Sequence, residues 1–282
     1  MKKIYVFFLL LILYIIFINI NNGSKISKKL NENNNIFSSN SFIAHAGGGY
    51  QDIAYTNSQE ALTGSIENGY KLIELDLLVT KDKKIIASHD WGALEGMCKK
   101  KFTDKENIYY KDLIDCKKLE LKNNSQVNLI TSDDINKFFS ENNELILFTD
   151  KISDYLLLKK EFDFLDRIIV ETHTKKNYIR AKFLGIKNPM FTFDDGRRNV
   201  YFTYFFNVKL LAISTHNVNR EKYKKFLKSY YKKRGAVYAW SSNNLDFNNK
   251  YIGKLITGVY TDFWNFNSGV CSSSIKHQCH FY

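Results

Sequence analysis

From residue 41 onward, short apolar runs alternate with stretches in which apolar residues return every three or four positions. A bounded apolar run of four to eight residues reads as a buried strand, and the longer period reads as an amphipathic helix. Their alternation predicts βα units around a parallel sheet. Nine segments fit a strand: 42–46, 72–79, 84–90, 145–150, 167–173, 190–194, 210–215, 236–242 and 256–262. Helices are expected over 57–69 (opened by Asn57 or Ser58, closed by Gly69), 132–142, 153–163, 175–185 and 219–232. A TIM-type (β/α)8 barrel of about 250 residues needs only eight strands, so one of the nine is accessory. No crossover helix fits between Asp76 and His89, where the turn at 80–84 sends the chain straight back. Residues 91–130 are longer than an ordinary connection and predict a small cap insertion beside the barrel mouth.

The first forty residues follow another pattern. Residues 4–20 are almost uninterruptedly apolar behind Lys2 and Lys3, and at about 1.5 Å per residue they reach the lower limit of a bilayer span. They read as a transmembrane anchor or as a signal segment. No small-x-small cleavage site follows, which favours the anchor. Residues 21–40 lack periodic hydrophobicity and read as a flexible linker to a domain at 41–282. Either reading sets that domain outside the cytoplasm, periplasmic or extracellular, and secreted if the segment is cleaved. Lys2 and Lys3 argue for a cytoplasmic N-terminus, whereas Lys25, Lys28 and Lys29 pull the other way. Four cysteines, Cys98, Cys116, Cys271 and Cys279, suit an oxidising compartment. Three pairings are open, of which Cys98–Cys116 with Cys271–Cys279 is the simplest. No CxxC spacing suggests metal binding by these thiols. Net charge is +12; residues 1–40 hold five lysines and one glutamate, leaving +8 elsewhere. A basic balance suits anionic partners, but the lysines are scattered, and no nucleic-acid partner is expected.

Chemistry gathers at strand ends, where βα loops build barrel active sites. His45 ends the first predicted strand, Glu74 and Asp76 the second, His89 and Asp90 the third, Asp150 the fourth. Glu74 and Asp76 stand two apart and share one face of an extended strand. With Asp150 they form an all-oxygen set suited to a hard divalent cation, Ca²⁺ or Mg²⁺. His45 and His89 flank the carboxylates as an acid/base couple. His173 and His216 also end strands, while His277 and His280 read as surface residues of the tail.

The segment 43–91, IAHAGGG…YTNSQEALTGSIENGYKLIELDLLVTKDKKIIASHDW, resembles the opening of the glycerophosphodiester phosphodiesterase family. His45, Asn57, Gly69, Glu74, Leu75, Asp76, Thr80, Asp82, His89 and Asp90 match in order; 239–243 and 258–263 extend the likeness to the C-terminal part. The resemblance implies a metal-dependent phosphoric diester hydrolase. In it His45 and His89 take the acid/base roles, Glu74, Asp76 and Asp150 hold the cation, and Lys151 and Trp240 contact substrate. The chain departs from the family in three places. Ala46 replaces an arginine, Tyr55-Thr56 replaces Pro-Glu, and the third carboxylate comes in TDKI rather than Glu-x-Lys, so that Thr149 competes with Asp150 for the ligand position. Gly47, Gly48 and Gly49 are expected to let backbone amides approach phosphate instead. This opening matches a variant branch, so the diester class is better supported than any one substrate. Two rivals stay open: phospholipase C- or D-like cleavage of a membrane phospholipid or surface polymer, and a non-catalytic binding module.

Overall fold

Eight parallel strands close on themselves in the computed structural model, which describes residues 2–274 and Cys279 apart from Glu106, Asp195 and Arg234. In chain order the main strands are β1 (Phe42–Ala44), β2 (Leu72–Val79), β3 (Ile85–Ala87), β4 (Lys118–Glu120), β5 (Gln126–Asn128), β6 (Ile146–Asp150), β7 (Ile168–Thr172), β8 (Pro189–Phe193), β9 (Leu210–Ser214), β10 (Ala236–Trp240) and β11 (Gly258–Thr261). β1 pairs with both β2 and β11, which closes the barrel. The accessory candidate is 84–90, whose β3 returns antiparallel to β2. His277 and His280 lie outside the described residues.

Side chains alternate across each barrel strand. Ile73, Leu75, Leu147, Val170, Phe191 and Leu211 are buried among the outer-layer apolar residues. Leu72, Ile146, Phe148, Ile169, Met190 and Tyr238 form the second, interior cluster. Followed toward the strands' C-terminal ends, the interior rows turn polar, from Leu72 to Glu74 and Asp76 and from Ile169 to Glu171. A closed core therefore supports an acidic mouth.

The helices are α1 (Lys2–Asn19), α2 (Ser24–Leu30), α3 (Gln59–Glu67), α4 (Trp91–Cys98), α5 (Ser132–Glu141), α6 (Tyr155–Glu161), α7 (Lys175–Phe183), α8 (Arg197–Phe205), α9 (Thr215–Asn219), α10 (Glu221–Lys233) and α11 (Leu245–Tyr251). Ser58 Oγ caps α3 by accepting from Ala61 N at 3.2 Å, and Thr131 with Asp134 forms a capping box on α5. Sequence periodicity misses α8, where after two arginines the run Asn-Val-Tyr-Phe-Thr-Tyr-Phe lacks strong helix formers. Between α4 and α5 lie a short 3-10 turn at Tyr110–Cys116 and the β4–β5 hairpin. Ile86, Leu94, Ile108, Leu113, Leu119 and Val127 give this region its own apolar cluster. Cys98 is bonded to Cys116 and Cys271 to Cys279.

Residues 21–40 are not a loose tether. α2 lies across the N-terminal ends of the strands, with Ile26 and Leu30 buried in the interior cluster. Gly23 N donates to Lys187 O at 3.0 Å, and Ala236 N donates to Ser27 Oγ at 3.0 Å. A Cβ on Gly23 would meet Leu210 Cδ1 at 2.7 Å, so this approach needs glycine. Ile26 and Leu30 are the two apolar residues this short helix buries, beside Ser27, too few positions for a visible period. Leu30→Ala is expected to destabilise the fold by about 2–5 kcal/mol in denaturant melts, the cost of a core cavity. An unaltered midpoint would restore the tether.

Candidate active site

The C-terminal ends of the barrel strands enclose a cavity of about 410 Å³ lined by His45, Tyr55, Glu74, Asp76, His89, Asp150, Lys151, Glu171, His173, Thr192, Asp194, Trp240, Ser241 and Tyr260. His45, His89, Glu74, Asp76, Asp150, Lys151 and Trp240 all face this one space, whereas Gly47, Gly48 and Gly49 do not line it. His216 does not line it.

β2 carries Glu74 and Asp76 on one face, and its pairing with β6 sets Asp76 beside Asp150. One ligand oxygen from each of Glu74, Asp76 and Asp150 lies within 4.8 Å of the others. Unit charges at that spacing repel by roughly 3–4 kcal/mol at an effective dielectric constant near 20. Burial, and then Asp76 and Asp150, push Glu74 well above the usual carboxylate range. Burial and Asp150 likewise raise Asp76. Burial also acts to raise Asp150, but its bond to His173 and the charge of Lys151 outweigh this and hold it low. Asp150 Oδ1 is buried with no hydrogen-bond partner. Three crowded carboxylates and an orphaned oxygen aimed into the same space are the donor set a hard divalent cation requires. Thr149 pairs with Leu75, whose side chain belongs to the outer layer, and does not line the cavity, whereas Asp150 stands beside Asp76 and does.

Each carboxylate is held from behind. Ala46 N donates to Glu74 Oε2 at 2.8 Å. Asn57 is fully buried; its Nδ2 donates to Asp76 Oδ2 at 3.0 Å while its Oδ1 accepts from Asp76 N at 3.0 Å. His173 Nε2 lies 3.2 Å from Asp150 Oδ2. Lys151 Nζ stands 4.0 Å from Asp76 Oδ1 and 3.8 Å from Asp150 Oδ2.

The two imidazoles are oriented alike. His45 Nδ1 is 3.1 Å from Asp262 Oδ1, and His89 Nδ1 is 2.9 Å from Asp90 Oδ2. A carboxylate only accepts, so Nδ1 carries the proton in both rings and Nε2 remains for chemistry. Burial pushes the His45 imidazolium down, but the Asp262 bond and the nearby carboxylates more than reverse this and leave it raised. Tyr55 stands between the rings, edge-on to His45 at 4.5 Å and to His89 at 5.6 Å between centroids.

Of the three glycines after His45, Gly48 and Gly49 do not offer their amides to an anion cradle. Gly48 N donates to His45 O at 2.8 Å and Gly49 N to Asp262 O at 2.6 Å, so both amides are spent inside the protein. Their smallness serves packing: a Cβ on Gly48 would meet Ser65 Oγ at 2.1 Å, and one on Gly49 would meet Phe263 Cε1 at 2.0 Å. Sequence reasoning also missed Glu171 and Tyr260. Glu171 is raised by burial and accepts from Thr192 Oγ1 at 2.7 Å and from Tyr260 OH at 2.9 Å. The available signal was spacing, since Glu171 precedes His173 by two in a strand-end run, as Glu74 precedes Asp76.

Residues 45–265 match the glycerophosphoryl diester phosphodiesterase family. No curated protein matches the chain. Among solved structures, it is similar to a glycerophosphodiester phosphodiesterase from Thermotoga maritima at 21% identity and TM-score 0.61, over 78% of this chain and 93% of that one. A putative glycerophosphodiester phosphodiesterase from Galdieria sulphuraria is similar at 16% identity and TM-score 0.62, over 81% and 95%. A phosphodiesterase from Oleispira antarctica, solved in complex with the product sn-glycerol-3-phosphate, is similar at 14% identity and TM-score 0.60, over 79% and 92%.

Proposed function

This chain belongs to the glycerophosphoryl diester phosphodiesterase family and is a phosphoric diester hydrolase, and from that premise we propose that it cleaves glycerophosphodiesters with a divalent cation and an acid/base couple of His45 and His89. The observation that carries the reading is the convergence of two imidazoles and three crowded carboxylates on one cavity. Glu74, Asp76 and Asp150 would hold the ion, Ca²⁺ or Mg²⁺. When bound, it supplies Lewis-acid neutralisation of phosphoryl charge. Asn57, the Ala46 amide and His173 fix the three carboxylates in place. With arginine absent at Ala46, Lys151 is the one Lys or Arg among the described lining residues, placed to draw a non-bridging phosphate oxygen into the mouth. One imidazole takes the proton from the attacking water or hydroxyl at Nε2, and the other gives a proton to the leaving oxygen. Asp262 stabilises the His45 imidazolium through Nδ1, and Asp90 orients the His89 ring through Nδ1. Trp240 forms a wall against the substrate's alcohol group.

The sn-glycerol-3-phosphate held by the Oleispira antarctica protein supports a glycerol phosphate product for this chain as well. The test is release of sn-glycerol-3-phosphate from a panel of glycerophosphodiesters, with and without chelator. Turnover untouched by chelation, or confined to intact phospholipid, would contradict the proposal. The apolar α1 supports a membrane-anchored enzyme with its catalytic domain outside the cytoplasm, a compartment in which the two disulfides persist.

A further inference from the structure

We propose that the barrel's lower rim, formed by the C-terminal ends of α7 and α8 and by the lysine-lined groove below α2, is itself a membrane-contact surface that seats in a bilayer containing anionic phospholipid. This rests on the reading of α1 as a retained anchor and goes further, assigning a second contact to the folded domain.

Length gives the argument. The ten side chains from Ile4 to Leu13 are all exposed and touch none of the barrel's core. Ten helical residues rise only about 15 Å, half of a hydrocarbon core of about 30 Å. The helix spans only if the turns from Tyr14 to Ile20 are also immersed, giving about 25 Å. Those same turns are fastened to the barrel. Phe17 packs on Phe183 at 4.7 Å and Tyr14 on Phe205 at 4.9 Å between ring centroids. Tyr14 OH donates to Phe205 O at 2.5 Å, Lys182 Nζ to Ile18 O at 3.1 Å, and Asn207 Nδ2 to Asn19 Oδ1 at 2.9 Å. Immersing Tyr14 and Phe17 therefore carries Phe183 and Phe205 to the same depth.

Those rings are dressed for it. Phe183 is 74% exposed, Tyr201 70% and Phe205 58%, although two of the three already touch α1. Tyr201 and Phe205 stand one turn apart on a single face of α8. Just past the span's end a groove of about 710 Å³ opens, lined in part by Asn19, Asn21, Asn22, Lys25, Lys29 and Lys187. Lys187 pairs with Asp166, while neither Lys25 nor Lys29 has an acidic partner among the described residues. Aromatic rings at the acyl boundary with lysines at the headgroup level match the profile of an interfacial surface.

The test uses the full chain reconstituted into vesicles of phosphatidylcholine and phosphatidylglycerol, the latter brominated in its acyl chains. Tryptophan is introduced by Phe183→Trp, Phe205→Trp and, as control, Ile114→Trp, an exposed apolar position in the cap; the wild-type signal is subtracted from each. The inference expects quenching at 183 and 205 to exceed the control by about threefold or more. Quenching equal to the control in chains that keep their full mass and resist carbonate extraction overturns this inference alone. Loss of the first residues by mass, or release by carbonate, overturns it together with the anchor reading. Quenching by brominated phosphatidylcholine but not by brominated phosphatidylglycerol overturns the role given to the lysines.

Discussion

Alanine at His45 is expected to lower kcat by roughly 10²- to 10⁴-fold, and alanine at His89 by a similar factor, the usual contribution of a positioned proton donor or acceptor. The rings do not share one proton path. Each has its own Nδ1 carboxylate, Asp262 for His45 and Asp90 for His89, so each ring is oriented separately with its own Nε2 free for chemistry. Removing either leaves one proton transfer unassisted. Since both act in one transition state, the double variant is expected to cost less than the product of the single losses. KM is expected to change little, because the carboxylate cluster and Lys151 are untouched. Asp262→Asn is the milder probe: an amide can still meet His45 Nδ1 but no longer favours the imidazolium. Steady-state turnover of a glycerophosphodiester checks all four variants. Retained kcat in both alanine variants would remove the imidazoles from the mechanism.

Stripping the divalent ion is expected to abolish turnover and to reverse the pH dependence of stability around the site. The reversal follows from linkage. Glu74, Asp76 and Glu171 have folded-state pKa values raised chiefly by burial. A raised carboxyl binds its proton more tightly folded than unfolded, so its stabilising share is complete below the unfolded value of about 4. That share is lost as pH rises through the folded value. Asp150 shifts the other way and opposes this only in part. The ion-free protein is therefore expected to melt at a lower temperature at pH 7 than at pH 5. Saturating Ca²⁺ or Mg²⁺ should restore the neutral-pH midpoint by about 2.7 kcal/mol of stability at one hundred times Kd. Melting curves at the two pH values, with chelator and with ion, check it. An ion-free protein more stable at pH 7 would contradict it.

Much of this architecture is legible in the amino-acid order because strand ends carry both the pattern and the chemistry. The runs 72–79 and 145–150 state a strand and, in Asp76 and Asp150, a candidate site residue together, and the short step from Asp76 to His89 excludes a helix. What escapes is information spread across space. Asn57 serves as a helix-entry residue in the sequence, yet from the loop before α3 its amide braces Asp76 on β2. Glu171 gives no signal of its bonds to Thr192 and Tyr260, which arrive from β8 and β11. The glycines after His45 suggest an anion cradle locally, whereas Ser65 and Phe263 claim that space. α2 hides because two buried apolar side chains make no period.

Calorimetric titration of Ca²⁺ and of Mg²⁺ into chelator-stripped full-length protein, beside Asp150→Asn, tests the carboxylate cluster most directly. One ion per chain in the wild type, with affinity lost or weakened at least about tenfold (1.4 kcal/mol) in the variant, is the predicted result. No binding heat in the wild type, or equal affinity in the two proteins, would contradict it.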